Sequence, residues 1–133
     1  GATGVLVADD AALAEPLADR YAAVIADAFR KAGASTLLAT SSTFSKDILP
    51  RAAALLEAPM LTDVVAIEEK EGALSYQRPV SAGSMLATVQ LKGDKRVLTI
   101  RAAAVAAPQP GPPPDWCGTP SPRDCACLDT RRG

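Results

Sequence analysis

The chain has 133 residues, a formal net charge of −1, 48% hydrophobic residues and only 4% aromatic ones. These figures fit one domain whose core is filled largely by alanine, which buries little area per residue and implies modest stability. The balanced charge gives no footprint for nucleic acid or an acidic membrane surface, and the lack of histidine removes the commonest general base and zinc ligand.

The opening "GATGVLVADD" has neither an initiator methionine nor the basic start of a signal peptide, so the chain is expected to be a processed product or a fragment. Within it, "GVLVAD" is a short apolar run that predicts a strand buried on both faces. "AEPLADRYAAVIADAFRKAG" follows as a helix. Pro16 suits its first position, and Leu17, Tyr21, Val24, Ile25 and Ala28 form the apolar face. Asp27 and Lys31 make an i,i+4 pair, while Lys31 and Gly33 supply the stop. "STLLAT" predicts a second buried strand. In "SSTFSKDILPRAAALLEAP", a hydroxyl-rich loop leads into a helix with Leu49, Ala52, Ala53 and Leu56 on one face. Pro50 predicts that the regular helix lies mainly after it.

"TDVVAIEE" predicts a third strand, and "EEKE" at Glu68 to Glu71 a solvated turn. Strand, helix, strand, helix, strand is the pattern of a parallel sheet with helical crossovers. Beyond Gly72, "LSYQRPVSAG" reads as extended and "SMLATVQLK" as an alternating strand. "KGDK" then turns the chain into "RVLTIRA", so Leu91 to Ile100 is predicted as a hairpin. No run spans a bilayer, because Glu57, Asp63 and Glu68 interrupt the best candidates. The domain is predicted over residues 1–107. Residues 108–133, rich in proline, glycine and charge, predict a disordered tail.

Ser41, Ser42, Thr43 and Ser45 stand after a strand and before a helix, where open parallel sheets hold anions, and Lys46 adds a positive charge. No glycine-rich phosphate fingerprint accompanies them, and Ser and Thr are also ordinary helix caps, the preferred reading. Arg51 beside Pro50 and Arg78 beside Pro79 are carboxylate or phosphate candidates, with a surface or interface ion pair as the plainer role. Thr43, Ser45, Lys46, Arg51 and Arg78 are thus the cofactor-binding candidates. No catalytic residue stands out. Cys117, Cys125 and Cys127 lack a fourth ligand for a structural zinc and read as free thiols prone to oxidation. A stand-alone adenine-nucleotide-binding module, with its phosphate on the Ser41–Lys46 loop, remains the alternative reading.

Four stretches together resemble the N-terminal domain of the electron transfer flavoprotein alpha subunit. They are "VLVADDAALAEPLA", "TFSKDILPRAAALLEAPMLTDVVAI", "QRPVSAGSMLATVQ" and "RVLTIRAAA", in the family's order from about Gly4 to Ala107. The family usually reads Thr-Phe-Gly-Lys, then Leu-Pro-Arg, then Ala-Ala-x-Leu. Thr43, Phe44, Lys46, Leu49, Pro50, Arg51, Ala53, Ala54 and Leu56 fit that outline, with Ser45 in place of the glycine. Where the family favours Tyr-Ala-Gly-Asn, this chain has Ser81, Ala82, Gly83 and Ser84.

The resemblance implies an α/β fold with a three-layer, mostly parallel sheet of the adenine nucleotide alpha hydrolase-like kind, truncated, with the C-terminal β-hairpin. It implies an electron carrier subunit rather than an enzyme. In the family, alpha pairs with a beta subunit, and the heterodimer holds FAD and often AMP. It relays electrons from acyl-CoA and other dehydrogenases to electron transfer flavoprotein–quinone oxidoreductase. The AMP belongs to beta and the main FAD elements to a C-terminal domain of alpha, so no cofactor is expected on this chain. A soluble protein of the bacterial cytoplasm or mitochondrial matrix is implied. The family's first strand–helix units are expected to be missing too. The remaining sheet edges would then be open, and a complementing chain would stabilise the fragment.

Overall fold

The computed structural model describes residues 4–70, 72–106 and 126–127. In chain order its elements are β1 (Leu6–Val7), α1 (Ala18–Lys31), β2 (Thr36–Thr40), α2 (Thr43–Leu56), β3 (Met60–Val64), β4 (Ala66–Lys70), β5 (Ala73–Val80), β6 (Met85–Val89), β7 (Arg96–Ile100) and β8 (Ala126–Cys127). Three layers result. The two helices cover one face of a parallel sheet of order β2-β7-β3, and an antiparallel sheet of order β4-β5-β6 packs on the other. This is the expected α/β class, with a three-stranded parallel sheet at its centre.

The third layer differs from the expected Leu91–Ile100 hairpin. β6 pairs with β5 (Tyr76 opposite Val89), whereas β7 becomes the middle strand of the parallel sheet, matching Thr36–Thr40 to Arg96–Ile100. The reason is burial on both faces. Val97, Leu98 and Thr99 are all buried, Val97 against Leu49 and Ala53 of α2, and Leu98 against Tyr76 of the antiparallel sheet. A strand apolar on both faces gains more from a central position than from a solvated hairpin. "TDVVAIEE" also divides in two. Asp63 takes a left-handed φ of 58°, and the chain leaves β3 at Val64 and resumes as β4 at Ala66. Val65 N–H donates to the Gln77 carbonyl at 2.8 Å, which fastens one sheet to the other. The expected "EEKE" turn is corrected as well: Glu68, Glu69 and Lys70 lie in β4, and Glu71 is outside the described residues.

The ends of the predicted elements shift for local reasons. α1 begins at Ala18, with Leu17 in cap position and Pro16 outside. Its most buried residues are Ala22, Ala26 and Phe29, while Leu17 is exposed. Ala22 of α1 is buried in one cluster with Ile48 and Ala52 of α2, and the larger Tyr21 and Ile25 pack around it. Gly33, at φ 61°, ends the helix, with its N–H on the Arg30 carbonyl and Ala34 N–H on that of Phe29. The Asp27–Lys31 pair forms at 2.9 Å. β2 alternates exposed and half-buried residues instead of being buried on both faces, because it is an edge strand. β1, also predicted to be buried, is an exposed two-residue strand paired with Ala126–Cys127. Of the predicted tail, residues 108–125 and 128–133, with Cys117 and Cys125, lie outside the described residues, as does Ala107.

Candidate functional site

The sequence directs attention to the carboxyl end of the parallel sheet, where β2 runs into α2. Ser41 N–H donates to the Ile100 carbonyl at 2.7 Å and so carries the β2–β7 ladder one step further. Ser42 is then the helix cap. Its Oγ accepts from Ser45 N–H at 3.1 Å, and Ser42 N–H donates to Ser45 Oγ at 2.9 Å, a reciprocal capping box. Ser45 Oγ also donates to the Thr40 carbonyl, and the residue is buried. Ser45 thus ties the last strand residue to the first helical turn.

Lys46 reaches across to β3, where its Nζ lies 3.0 Å from Asp63 Oδ2. The left-handed Asp63 turns its own N–H onto Thr99 Oγ1 at 3.0 Å, and Ser41 Oγ lies 2.8 Å from the same atom. Thr99 is fully buried in the middle strand. Asp63 of β3, Thr99 of β7, Ser41 just after β2 and Lys46 of α2 are therefore joined by polar contacts. Lys46 first, and then the Ser41 hydroxyl and the charge of Arg101, hold the Asp63 carboxyl below the usual 3.8, against the opposing effect of its burial.

A depressed folded-state pKa contributes stability that is present above the unfolded value and is lost as pH falls through the folded one. Asp63→Asn is therefore expected to flatten the acid side of the stability profile below 3.8. At neutral pH it is expected to cost no more than about 1 kcal/mol, because Lys46 is half-exposed. Urea midpoints of both proteins across that range check this. An unchanged acid limb in the variant would remove Asp63 as its source.

Of the five candidates, the fold brings only Ser45 and Lys46 into this network. Thr43 is the exposed first residue of α2, and Arg51 lies further along the same helix, exposed to solvent. Arg78 is on β5 in the antiparallel sheet, where its Nε is buried without a hydrogen-bond partner. Asp63 and Thr99 went unmarked in the sequence reading. An aspartate inside an apolar strand run was the available signal, since Asp is depleted in strands and tolerates the left-handed region.

The electron transfer flavoprotein domain model matches residues 1–115. The chain belongs to the electron transfer flavoprotein family. Among its relatives is "Electron transfer flavoprotein subunit alpha, mitochondrial" of Oryza sativa, 41% identical over 101 residues, which is 75% of this chain and 27% of the relative. The alpha subunit of Pseudomonas aeruginosa is 37% identical over 110 residues, covering 80% of this chain and 34% of its own. That of Paracoccus denitrificans is 37% identical over 107 residues, covering 80% and 33%. The chain thus spans about a third or less of the length of these family members. No helix among the described residues is long and apolar enough to cross a membrane.

Proposed function

We propose that this chain is a scaffold and subunit-interface domain of an electron transfer flavoprotein alpha subunit. In the complete heterodimer with the beta subunit, FAD would carry electrons from acyl-CoA and other flavin dehydrogenases to the respiratory chain through electron transfer flavoprotein–quinone oxidoreductase. This chain would pack and position, without bond chemistry and without binding the flavin itself. Residues 1–107 would be the domain and 108–133 an appended tail, in a soluble protein of the bacterial cytoplasm or mitochondrial matrix.

The observation that carries this reading is the closure of the sheet end. A flavin or nucleotide phosphate needs free N–H groups and uncompensated positive charge. Here Ser41, Ser42 and Ser45 bond to their own strand, cap and neighbours, and Lys46 is neutralised by Asp63. Those contacts suit a fastening better than a phosphate cradle. The described residues therefore do not fit FAD at this end, and no step is assigned to it.

Gel filtration of the pure chain with excess FAD tests the reading. The flavin absorbance is expected to elute apart from the protein peak. Co-elution at one flavin per chain would reverse the reading, and Lys46→Ala would then be the first variant to examine.

A further inference from the structure

A cleft lies at the opposite end of the parallel sheet, where β7 begins. Glu69 of β4, Leu74 of β5, Gln90 and Lys92 after β6, and Arg96 of β7 line it. Arg96 enters from the central strand and is partly buried. One of its Nη atoms donates to the buried Tyr76 hydroxyl over a long 3.3 Å, and its Nε is buried with no hydrogen-bond partner. A guanidinium is a planar fork of donors, and a buried donor left unmade is costly. The neighbouring turn adds Lys92 and Lys95 against Asp94. Lys95 points its Nζ to the Leu56 carbonyl at the end of α2, 3.5 Å away, so Lys92 is the cation that remains at the cleft with Arg96. Glu69 lines the same cleft.

We propose that this cleft is a binding site for a phosphate-sized oxyanion, held by the Arg96 guanidinium and the Lys92 ammonium. The chemistry is that of paired cationic donors. Arginine offers two N–H groups in a fixed fork to two oxygens, and lysine contributes a mobile point charge. Glu69 opposes the anion and sets its affinity. This site is separate from the Ser41–Lys46 end and is independent of whether the chain binds flavin.

The test is titration of the intact chain with inorganic phosphate and, separately, with AMP, at fixed ionic strength, following the amide resonances of residues 90–96. Saturable shifts confined to this turn and the cleft are expected. Lys92→Ala, on an exposed turn, is expected to weaken binding about tenfold, as loss of one charge-assisted contact does. Glu69→Gln is expected to tighten it. Arg96→Gln is expected to abolish it in a variant whose remaining spectrum stays folded. Equal affinity for phosphate and AMP identifies the free anion as the ligand, and tighter AMP binding identifies a nucleotide phosphate. Absence of saturation with both ligands overturns the site. So does binding that neither Lys92→Ala nor Glu69→Gln alters.

Discussion

Leu56→Ala is expected to destabilise the chain by about 2–5 kcal/mol, with the upper half of that range favoured by its surroundings. Leu56 is only 2% exposed and closes the cluster formed with Ala26 and Phe29, against Ala34, Leu37 and Ala58. Three of those five neighbours are alanines, which have no further rotamers with which to fill a void. The cavity would therefore persist, and the cost of the lost methyl and methylene groups would be joined by the cost of the empty volume. A domain of this size has a total stability of about 5–15 kcal/mol, and an aromatic-poor core places it toward the lower end. The loss would thus consume a large share of the whole. The control is the adjacent Leu55→Ala. Leu55 is 44% exposed, and its replacement is expected to stay within about 0.5 kcal/mol of the parent. Urea midpoints of the two variants at unchanged slope decide the matter. Equal midpoints would mean that α2 does not pack on α1 through this residue.

The parts of the fold that were legible in the sequence are those where local and tertiary preferences agree. The existence of both helices and of β2, and the Asp27–Lys31 pair, follow from apolar patterning and spacing alone. So does the buried set Leu49, Ala52, Ala53 and Leu56 of α2. The misreadings cluster where partner choice, rather than element type, was at stake. "RVLTIRA" is a strand in either account, but nothing local says that it inserts between β2 and β3 instead of folding back on β6. That choice depends on both faces being covered at once, by α2, which ends about forty residues before it, and by the antiparallel sheet. The same limit applies to the polar network. The Ser42–Ser45 capping box is visible as two hydroxyls three residues apart. The Lys46–Asp63–Thr99–Ser41 arrangement joins three strands and a helix, and only the register of the parallel sheet brings it together. In α1 the large residues misplaced the buried face, because in close helix packing the small residue occupies the contact and the large ones surround it.

Pro50→Ala is expected to raise stability by about 2–2.5 kcal/mol. Pro50 in the sequence predicts that the regular helix lies mainly after it, but α2 runs from Thr43 to Leu56 through it. Proline in a helix interior costs about 3 kcal/mol relative to alanine, since its ring displaces the carbonyl of residue i−4 and it offers that carbonyl no N–H. Two features sustain the helix despite this. The capping box fixes the first turn, and the buried Ile48 and Leu49 on one side of Pro50, with Ala52 and Ala53 on the other, bind the two halves to α1 and the sheet. Pro50 itself is exposed, so alanine forfeits no buried surface there. Against the regained hydrogen bond stands the greater freedom of the unfolded chain without proline, about 0.4–1 kcal/mol, which leaves the smaller net figure. Urea unfolding together with the far-ultraviolet helical signal measures both parts. A rise in midpoint with a stronger helical signal is the expected result. A fall in midpoint would show that the proline ring itself sets Leu49 and Ala53 against Val97. Pro50 would then be a packing determinant of the sheet's helical face, retained despite its local cost.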